Sequence, residues 1–425
     1  MTEETILPLT QQADRYVLPP PPRIELYDNL FNQDPEVFWF LKNYYNDLQV
    51  SRESDGSVDY VDAGQGSTST IDLNIAASTI GGNPEVRLNE DSYFSIDMSG
   101  YVPGISHRTL SAVIDGASSQ APILGLEKYK VSGAFYISHL ISLGFPQSDL
   151  YKELRMRENL TAKDIVIELN GWVKEQLQKV EGVNYNDVLT IPGAAATFAL
   201  VDLISKKVSL AHVADTIAVV NFAKGAKVLT NNLNAQFDEA TEALVTQIMK
   251  DKGIERDIAA QDETVRKQLK DSFRAKINTE KGCGILNGME ELVTNNLIQD
   301  VTLDLAGPID KAGAQPEEDP RELRIVLASD GFYTSFPRGA NGGIDGNQIA
   351  DFTDAEGQYF ERRDISDVRE VFLSDPHFKN VPRLKLVDDI TFLSMQLIVN
   401  QNSRRRMYFD ERRSMSPSIP RPYII

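Results

Sequence analysis

The 425-residue sequence predicts a soluble chain that mixes strands with helices. Three observations carry that expectation. Short apolar runs bounded by turn residues read as strands, segments with apolar residues at helical spacing lie between them, and the composition is that of a globular protein. Hydrophobic residues make up 41% and charged residues 25% of the chain, enough for a sizeable core. The length suits roughly two to three average domains, or one large domain with extensions.

Tyr93-Phe94 reads as an aromatic strand and Ser111 to Ile114 as a short apolar one. Ile137, Leu140 and Ile141 then share a helical face that Gly144 and Pro146 close. Thr161 and Asp164 have the spacing of a capping box, and Ile165, Leu169, Trp172 and Val173 follow at helical intervals. Phe198 to Ile204, Val208 to Val213 and Thr216 to Phe222 read as strands. Residues 234–281 are charged and helical in period, with Leu244, Ile248 and Leu269 as sparse anchors, which describes a surface insertion. Strands return at Arg324 to Ala328 and Ile390 to Ile398.

The flanks differ in character. Residues 1–80 read as an accessory extension. It holds the proline run Pro19 to Pro22, an aromatic stretch from Phe31 to Tyr45 that either packs on the main body or offers a partner surface, and a loop over 51–70. Residues 401–425 form a basic tail carrying Arg404, Arg405, Arg406, Arg412 and Arg413, for which fold-back docking and a disordered tail both stay open.

Charge and cysteine usage exclude several classes. The formal charge is −19, from 43 basic and 62 acidic residues, which disfavours nucleic acid and anionic membranes as partners. Cys283 is the single cysteine, so no intrachain disulfide and no thiolate zinc site is expected, and a reducing, cytoplasmic setting fits best. The N-terminus lacks the pattern of a signal peptide, and no apolar run is long enough to span a membrane. Ser118 and Ser119 lack the G-x-S-x-G setting of a serine nucleophile, and Gly282, Gly284 and Gly288 lack dinucleotide-loop spacing. His212 reads as a packed sheet residue and Cys283 as a buried thiol.

Carboxylates stand where apolar runs end. Asp115 with Gly116 closes one strand, and Asp330 with Gly331 another. Asp388 and Asp389 precede a third, Asp215 lies between two, and Asn89-Glu90-Asp91 precedes Tyr93-Phe94. Converging carboxylates at a core edge repel one another, and hard divalent cations with a preference for oxygen ligands relieve that repulsion.

These segments resemble the metal-dependent protein phosphatase 2C family, in its bacterial form. SAVIDGASS (Ser111 to Ser119) resembles the first Asp-Gly motif, and LAHVADTIAVV (Leu210 to Val220) the paired-strand Gly-Asp-Ser motif. RIVLASDGF (Arg324 to Phe332) resembles the second Asp-Gly motif, and LVDDITFL (Leu386 to Leu393) the closing Asp-Asn motif. VRLNEDSYF (Val86 to Phe94) resembles the opening Arg…Asn-Glu-Asp motif, and GCGILNG (Gly282 to Gly288) a Gly-rich stretch of bacterial members. The motifs keep family order over about residues 85–398.

The resemblance implies an α+β fold, a four-layer αββα sandwich of two antiparallel sheets flanked by helices, over residues 81–400. It implies two Mg²⁺ or Mn²⁺ ions, with a third, weaker cation at Asp215. Asp115 would bridge the two ions, the Gly116 carbonyl would ligate one, Asp330 and Asp388 would hold the other, and Asp91 would act through water. Arg87 would grip the substrate phosphate with its planar guanidinium.

The implied activity is hydrolysis of phosphoserine and phosphothreonine in a phosphorylated protein, by water activated between the cations. The chain departs from the pattern at Ala117, where many eukaryotic members carry His, and at Ala214, which stands for Gly. It also departs at Arg87, which is one residue closer to Asn-Glu-Asp. An inactive phosphatase-like binding module and a phosphatase of a small molecule are the alternatives.

Overall fold

The computed structural model describes residues 59–62, 71–80, 89–99, 108–117, 322–336, 344–353, 374 and 388–399, and 132–305 with short breaks. Its strands form two antiparallel sheets. The first runs in the order β3 (Asp91–Asp97), β4 (Arg108–Gly116), β5 (Ala194–Asp202), β6 (Lys207–Val213) and β9 (Gln299–Asp304). The second runs β1 (Asp59–Asp62), β2 (Ile71–Ile80), β11 (Ile390–Val399), β10 (Glu322–Ala328), β7 (Ile217–Phe222) and β8 (Gly225–Val228). A tight turn joins β5 to β6. In it, Asp202 Oδ1 accepts the amides of Ile204 and Ser205 at 3.0 and 2.9 Å, and Lys206 takes a φ of +53°.

Alternation along the strands sets the layers. Tyr93, Val113, Ala199 and Leu210 of the first sheet meet Leu73, Ile75, Ala218, Ile325, Leu327, Leu393 and Met395 of the second in one core between the sheets. On the outer side of the first sheet, Phe94, Ile114 and Phe198 pack under helices α1 (Gly133–His139), α2 (Asp149–Arg155) and α3 (Ala162–Leu177). Phe145 joins that layer, with ring centroids 6.1 Å from Phe94 and 6.4 Å from Trp172. On the far side of the second sheet, Ile217, Val219 and Val326 pack with Phe332 and Ile349. The order is helix, sheet, sheet, helix, the four-layer α+β sandwich that the family resemblance implies.

Local signals account for the helices. Thr161 and Asp164 form the expected reciprocal cap of α3, the Thr161 amide donating to Asp164 Oδ2 at 2.9 Å and the Asp164 amide to Thr161 Oγ1 at 3.2 Å. The Ile137–Leu140–Ile141 face is buried, and the helix widens into a π-type turn over Leu140–Gly144. Within residues 234–281, α4 (Ala235–Lys252) packs on α5 (Arg256–Gln261) through Val245 and Ala259, with Ile248 alongside. Of the other expected anchors, the Leu244 side chain and Leu269 lie outside the described residues.

Two differences concern the N-terminal side. Asp59–Asp62, inside the stretch read as a loop, is a strand paired with β2. Residues 71–80, inside the stretch read as an extension, are a full strand paired with β11 from Ile71–Val399 to Ile80–Ile390. The alternation of Leu73, Ile75 and Ala77 with polar or small residues is the period-two pattern of a half-buried strand, and the ladder with β11 places it in the sheet. The proline run, the aromatic stretch and the basic tail lie outside the described residues. Among the described residues, no helix is long and apolar enough to cross a membrane.

His139 ends α1 fully enclosed, stacked on Phe135 at 4.0 Å, with Nδ1 bonded to the Phe135 carbonyl at 3.0 Å. Burial holds its pKa down to about 4, against 6.5 in an exposed histidine. The unfolded chain therefore takes up this proton first, and stability falls as pH drops from 6.5 towards about 4. The loss amounts to about 3 kcal/mol across that window. Denaturant melts of the wild type and His139→Gln across the window check this: the variant is less stable at neutral pH but loses less on acidification. Parallel pH profiles would rule out a buried neutral histidine.

Candidate functional site

Register brings the acidic strand ends together. Asp91, the first residue of β3, lies opposite Asp115 at the end of β4. Gly116 lies opposite Ala194, the first residue of β5, and Val213, the last of β6, opposite Ala196. Asp91, Asp115 and the Ala214–Asp215 turn are thus at one end of the first sheet. That turn leads into β7, whose first residue Ile217 opposes Ala328, the last of β10. Ala328 also opposes Phe392, and Ile390 opposes Ile80. Asp215, Asp330, Asp388 and Asp389 therefore share one end of the second sheet, and the common Asp215 turn makes it the same end of the sandwich.

The side-chain period of two places the polar groups inward. Tyr93 and Val113 face the second sheet, so Asp91 and Asp115, two residues further along their strands, share that face. Above the apolar layer lies a polar one. Asn89 Nδ2 donates to Thr79 Oγ1 at 2.7 Å, Thr79 Oγ1 meets Thr391 Oγ1 at 2.6 Å, and the Thr391 amide donates to Ser329 Oγ at 3.0 Å. The two sheets are joined where the Glu90 amide donates to Asp389 Oδ2 at 2.8 Å. Asp388 Oδ1 accepts the Asp389 amide at 3.0 Å, and Ser132, the N-cap of α1, donates to Glu90 Oε1 at 2.5 Å.

Asp91 is the electrostatic centre of this end. It is 2% exposed, and its carboxyl is pushed well above the usual carboxylate range. Burial is the largest cause, followed by the charge of Asp389, with Asp388 and Asp330 adding to it and a hydrogen bond from Ser329 opposing it. Its Oδ2 is buried without a hydrogen-bond partner among the described residues. Such an orphaned buried oxygen costs about 1–3 kcal/mol unless something meets it.

Both Asp-Gly glycines are required by close backbone approach. A Cβ on Gly116 would lie 2.5 Å from the Ala134 carbonyl oxygen and 2.7 Å from that of Glu90. A Cβ on Gly331 would lie 1.9 Å from the Asp389 carbonyl oxygen. Gly331 sits in the short helix α7 (Asp330–Tyr333), which follows α6 (Glu291–Thr294) and which Asp330 begins, so its bare Cα lets the Asp330 and Asp388–Asp389 segments touch.

The Asp215 turn has Ala214 at a φ of +70°, a conformation glycine adopts more easily. Asp215 also acts on Cys283, whose thiol is pushed up to about 12, first by burial and then by that carboxylate. Cys283 is the inert buried thiol the sequence suggests. His212 is a buried sheet residue, bonded through Nδ1 to Thr197 Oγ1 at 3.1 Å. The Gly282–Gly288 stretch packs against the start of β5, where Leu286 and Ala194 exchange amide hydrogen bonds of 2.9 and 3.1 Å.

Of the residues singled out in the sequence, Asp91, Asp115, Gly116, Asp215, Asp330 and Asp388 all lie at this end. Arg87 lies outside the described residues. Among the described residues, no group of three or more His, Cys, Asp or Glu side chains stands close enough to hold an ion as arranged. The donor chemistry nonetheless fits a hard cation: the set is all oxygen, anionic and half-enclosed, and Asp91 Oδ2 lacks a partner. Asp389 and Glu90 stand in the acidic runs that the sequence singles out, but without a role of their own there, and Ser329, Thr79 and Thr391 were not foreseen. The Asp388-Asp389 doublet and the Asn-Glu-Asp run were signals for the first two, whereas the threonines and Ser329 gave none.

No protein-family profile matches the chain, and no curated protein matches it in sequence. Solved structures similar to it are serine/threonine phosphatases and relatives. The S. agalactiae serine/threonine phosphatase is 12% identical with a TM-score of 0.39, covering 76% of this chain and 98% of its own. The catalytic domain of the phosphatase PstP, in complex with 2 manganese ions, is 15% identical with a TM-score of 0.37, covering 77% and 99%. RsbX in complex with magnesium is 10% identical with a TM-score of 0.34, covering 80% and 100%. The α+β class of this chain rests on its own ladders and layers.

The glycine contacts give a paired prediction. Gly331→Ala forces backbone apart and costs about 1–3 kcal/mol, the usual scale of overpacking. Gly171→Ala, in mid-α3 with nothing within 4 Å of the new methyl, stabilises by about 0.5–1 kcal/mol. Thermal melts of both variants check this, and a Gly331→Ala protein as stable as wild type would refute the close approach.

Proposed function

We propose that the protein is a divalent-cation-dependent phosphatase of phosphoserine and phosphothreonine in proteins. The observation that carries this reading is the gathering of acidic strand ends from both sheets around the buried, partly unpartnered Asp91. The order of the phosphatase-like motifs along the chain supports the reaction type. Asp91, Asp115, Asp330 and Asp388, with the Gly116 carbonyl, would hold two Mg²⁺ or Mn²⁺ ions, and Asp215 a third. Such cations supply an acidified water and neutralise charge on a transferring phosphoryl group.

The chain's own residues do the rest. Asp91 and Asp115, opposite one another in register, present their carboxylates from one face. Asp389 fixes the Glu90–Asp91 segment of the first sheet against the second through the Glu90 amide. Gly331 keeps Asp330 beside Asp388. Arg87, four residues before Asp91, would bind the substrate phosphate through paired N–H donors. Ala117 offers no acid, so the leaving alkoxide would take its proton from water.

In this reading the sandwich with β1 and β2 is the catalytic body. Residues 234–281 form an insertion in it, and the remaining N-terminal residues and the tail over 401–425 are accessory. The acidic charge and the single cysteine suit a cytoplasmic enzyme acting on proteins rather than on nucleic acid or membranes.

Hydrolysis of p-nitrophenyl phosphate and of a phosphothreonine peptide tests the reading, with Mn²⁺, with EDTA, and in Asp115→Asn and Asp388→Asn. Turnover should need Mn²⁺ and fall by roughly a hundredfold or more in either variant, the scale on which losing one group that stabilises developing charge acts. Turnover indifferent to EDTA would sink the cation mechanism. No turnover together with no Mn²⁺ binding by calorimetry would favour the non-catalytic binding module.

A further inference from the structure

We propose that Tyr333 is a positioning residue for Asp215, and that through it the turn between the sheets is coupled to the Asp330 end of the second sheet. The inference rests on the reading of Asp215 as a cation ligand. It begins from a local difficulty. Ala214 is in the left-handed region at φ +70°, a conformation that is unfavourable for an L residue. A turn so placed does not hold its shape by itself, and surrounding contacts must impose it.

Two contacts do so. Thr197 Oγ1, on β5, meets His212 Nδ1 at 3.1 Å and Thr216 Oγ1 at 2.7 Å. One hydroxyl thus staples the residues flanking the turn on both sides, all three of them buried. The second contact reaches the Asp215 peptide itself, where the Tyr333 hydroxyl donates to the Asp215 carbonyl at 2.9 Å. Tyr333 is 4% exposed, with its ring packed in the outer layer beside Ile217 and Phe332. It closes the short helix α7 that Asp330 opens, one helical turn away.

The hydroxyl therefore links two carboxylate-bearing segments that are far apart in sequence. It fixes the direction in which the Asp215 side chain leaves its backbone, relative to Asp330. Outer-sphere hydrogen bonds of this kind typically govern metal affinity by about 10–100-fold. The Phe variant keeps the ring and its packing and removes only the bond.

Titration calorimetry with Mn²⁺ on the full chain tests this, using wild type, Tyr333→Phe, Asp215→Asn, Asp388→Asn and the Tyr333→Phe/Asp215→Asn pair. Asp215→Asn should abolish one class of Mn²⁺ site, and Tyr333→Phe should weaken that same class roughly tenfold while leaving the Asp388-dependent class within about twofold. The double variant should be no worse than Asp215→Asn alone. Thr197→Val, which loosens the turn from its other side, should give the same selective loss and serves as a second probe.

If the Asp215-dependent class persists unchanged in Tyr333→Phe, the inference fails while the reading of Asp215 stands. Equal weakening of both classes also overturns it, since general loosening would do that. Absence of any Asp215-dependent class in the wild type removes the cation reading of Asp215 and the inference with it.

Discussion

Electrostatic repulsion among buried carboxylates is the constraint on which this molecule turns. Asp91 is enclosed and faces the charges of Asp389, Asp388 and Asp330, so its own ionisation is strongly disfavoured. A fold selected for stability alone would put apolar side chains there, since burying charge without a partner is costly. The sandwich instead brings a charged strand end from each sheet to the same edge. Hydrogen bonds offset part of that cost. Asp389 takes the Glu90 amide, Asp388 takes the Asp389 amide, and Ser132 meets Glu90, which leaves Asp91 Oδ2 as the unmet acceptor.

The same strands serve stability and chemistry by changing residue type at one end. Along the inward faces, Leu327, Leu393, Val113 and Tyr93 make a dry layer between the sheets. One step further along, the inward positions become Asp91, Asp115, Thr197, His212 and Thr391. The dry layer fixes the spacing of the sheets, because close-packed interiors resist small displacements. The polar layer inherits that spacing. Gly116 and Gly331 extend the economy to the backbone: each lets a neighbouring main chain approach where a single methyl would collide with a carbonyl oxygen.

Much of this was legible in the sequence, because strand alternation and capping are local. The capping box at Thr161 and Asp164, the buried face of α1 and the strands from Ala194 to Phe222 follow from side-chain period and hydrogen-bonding capacity within a few residues. The carboxylates at strand ends were legible for the same reason: an apolar run that stops at Asp announces both its end and its charge. Strand β2 was not placed in the sheet, although its period-two alternation is local, because its partner β11 lies more than three hundred residues later. Nor were Thr79, Ser329 and Thr391, whose hydroxyls acquire a role only when two sheets meet.

The sequence by itself thus determined the helices, most of the strands, the apolar faces and the supply of carboxylates, because each is written in spacings of two to four residues. Tertiary structure decided which of those carboxylates share a site, which one is left without a partner, and which hydroxyl steadies which turn. Those choices depend on register between strands distant in the chain. Shifting the β3–β4 pairing by a single residue would turn Asp91 or Asp115 to the opposite face.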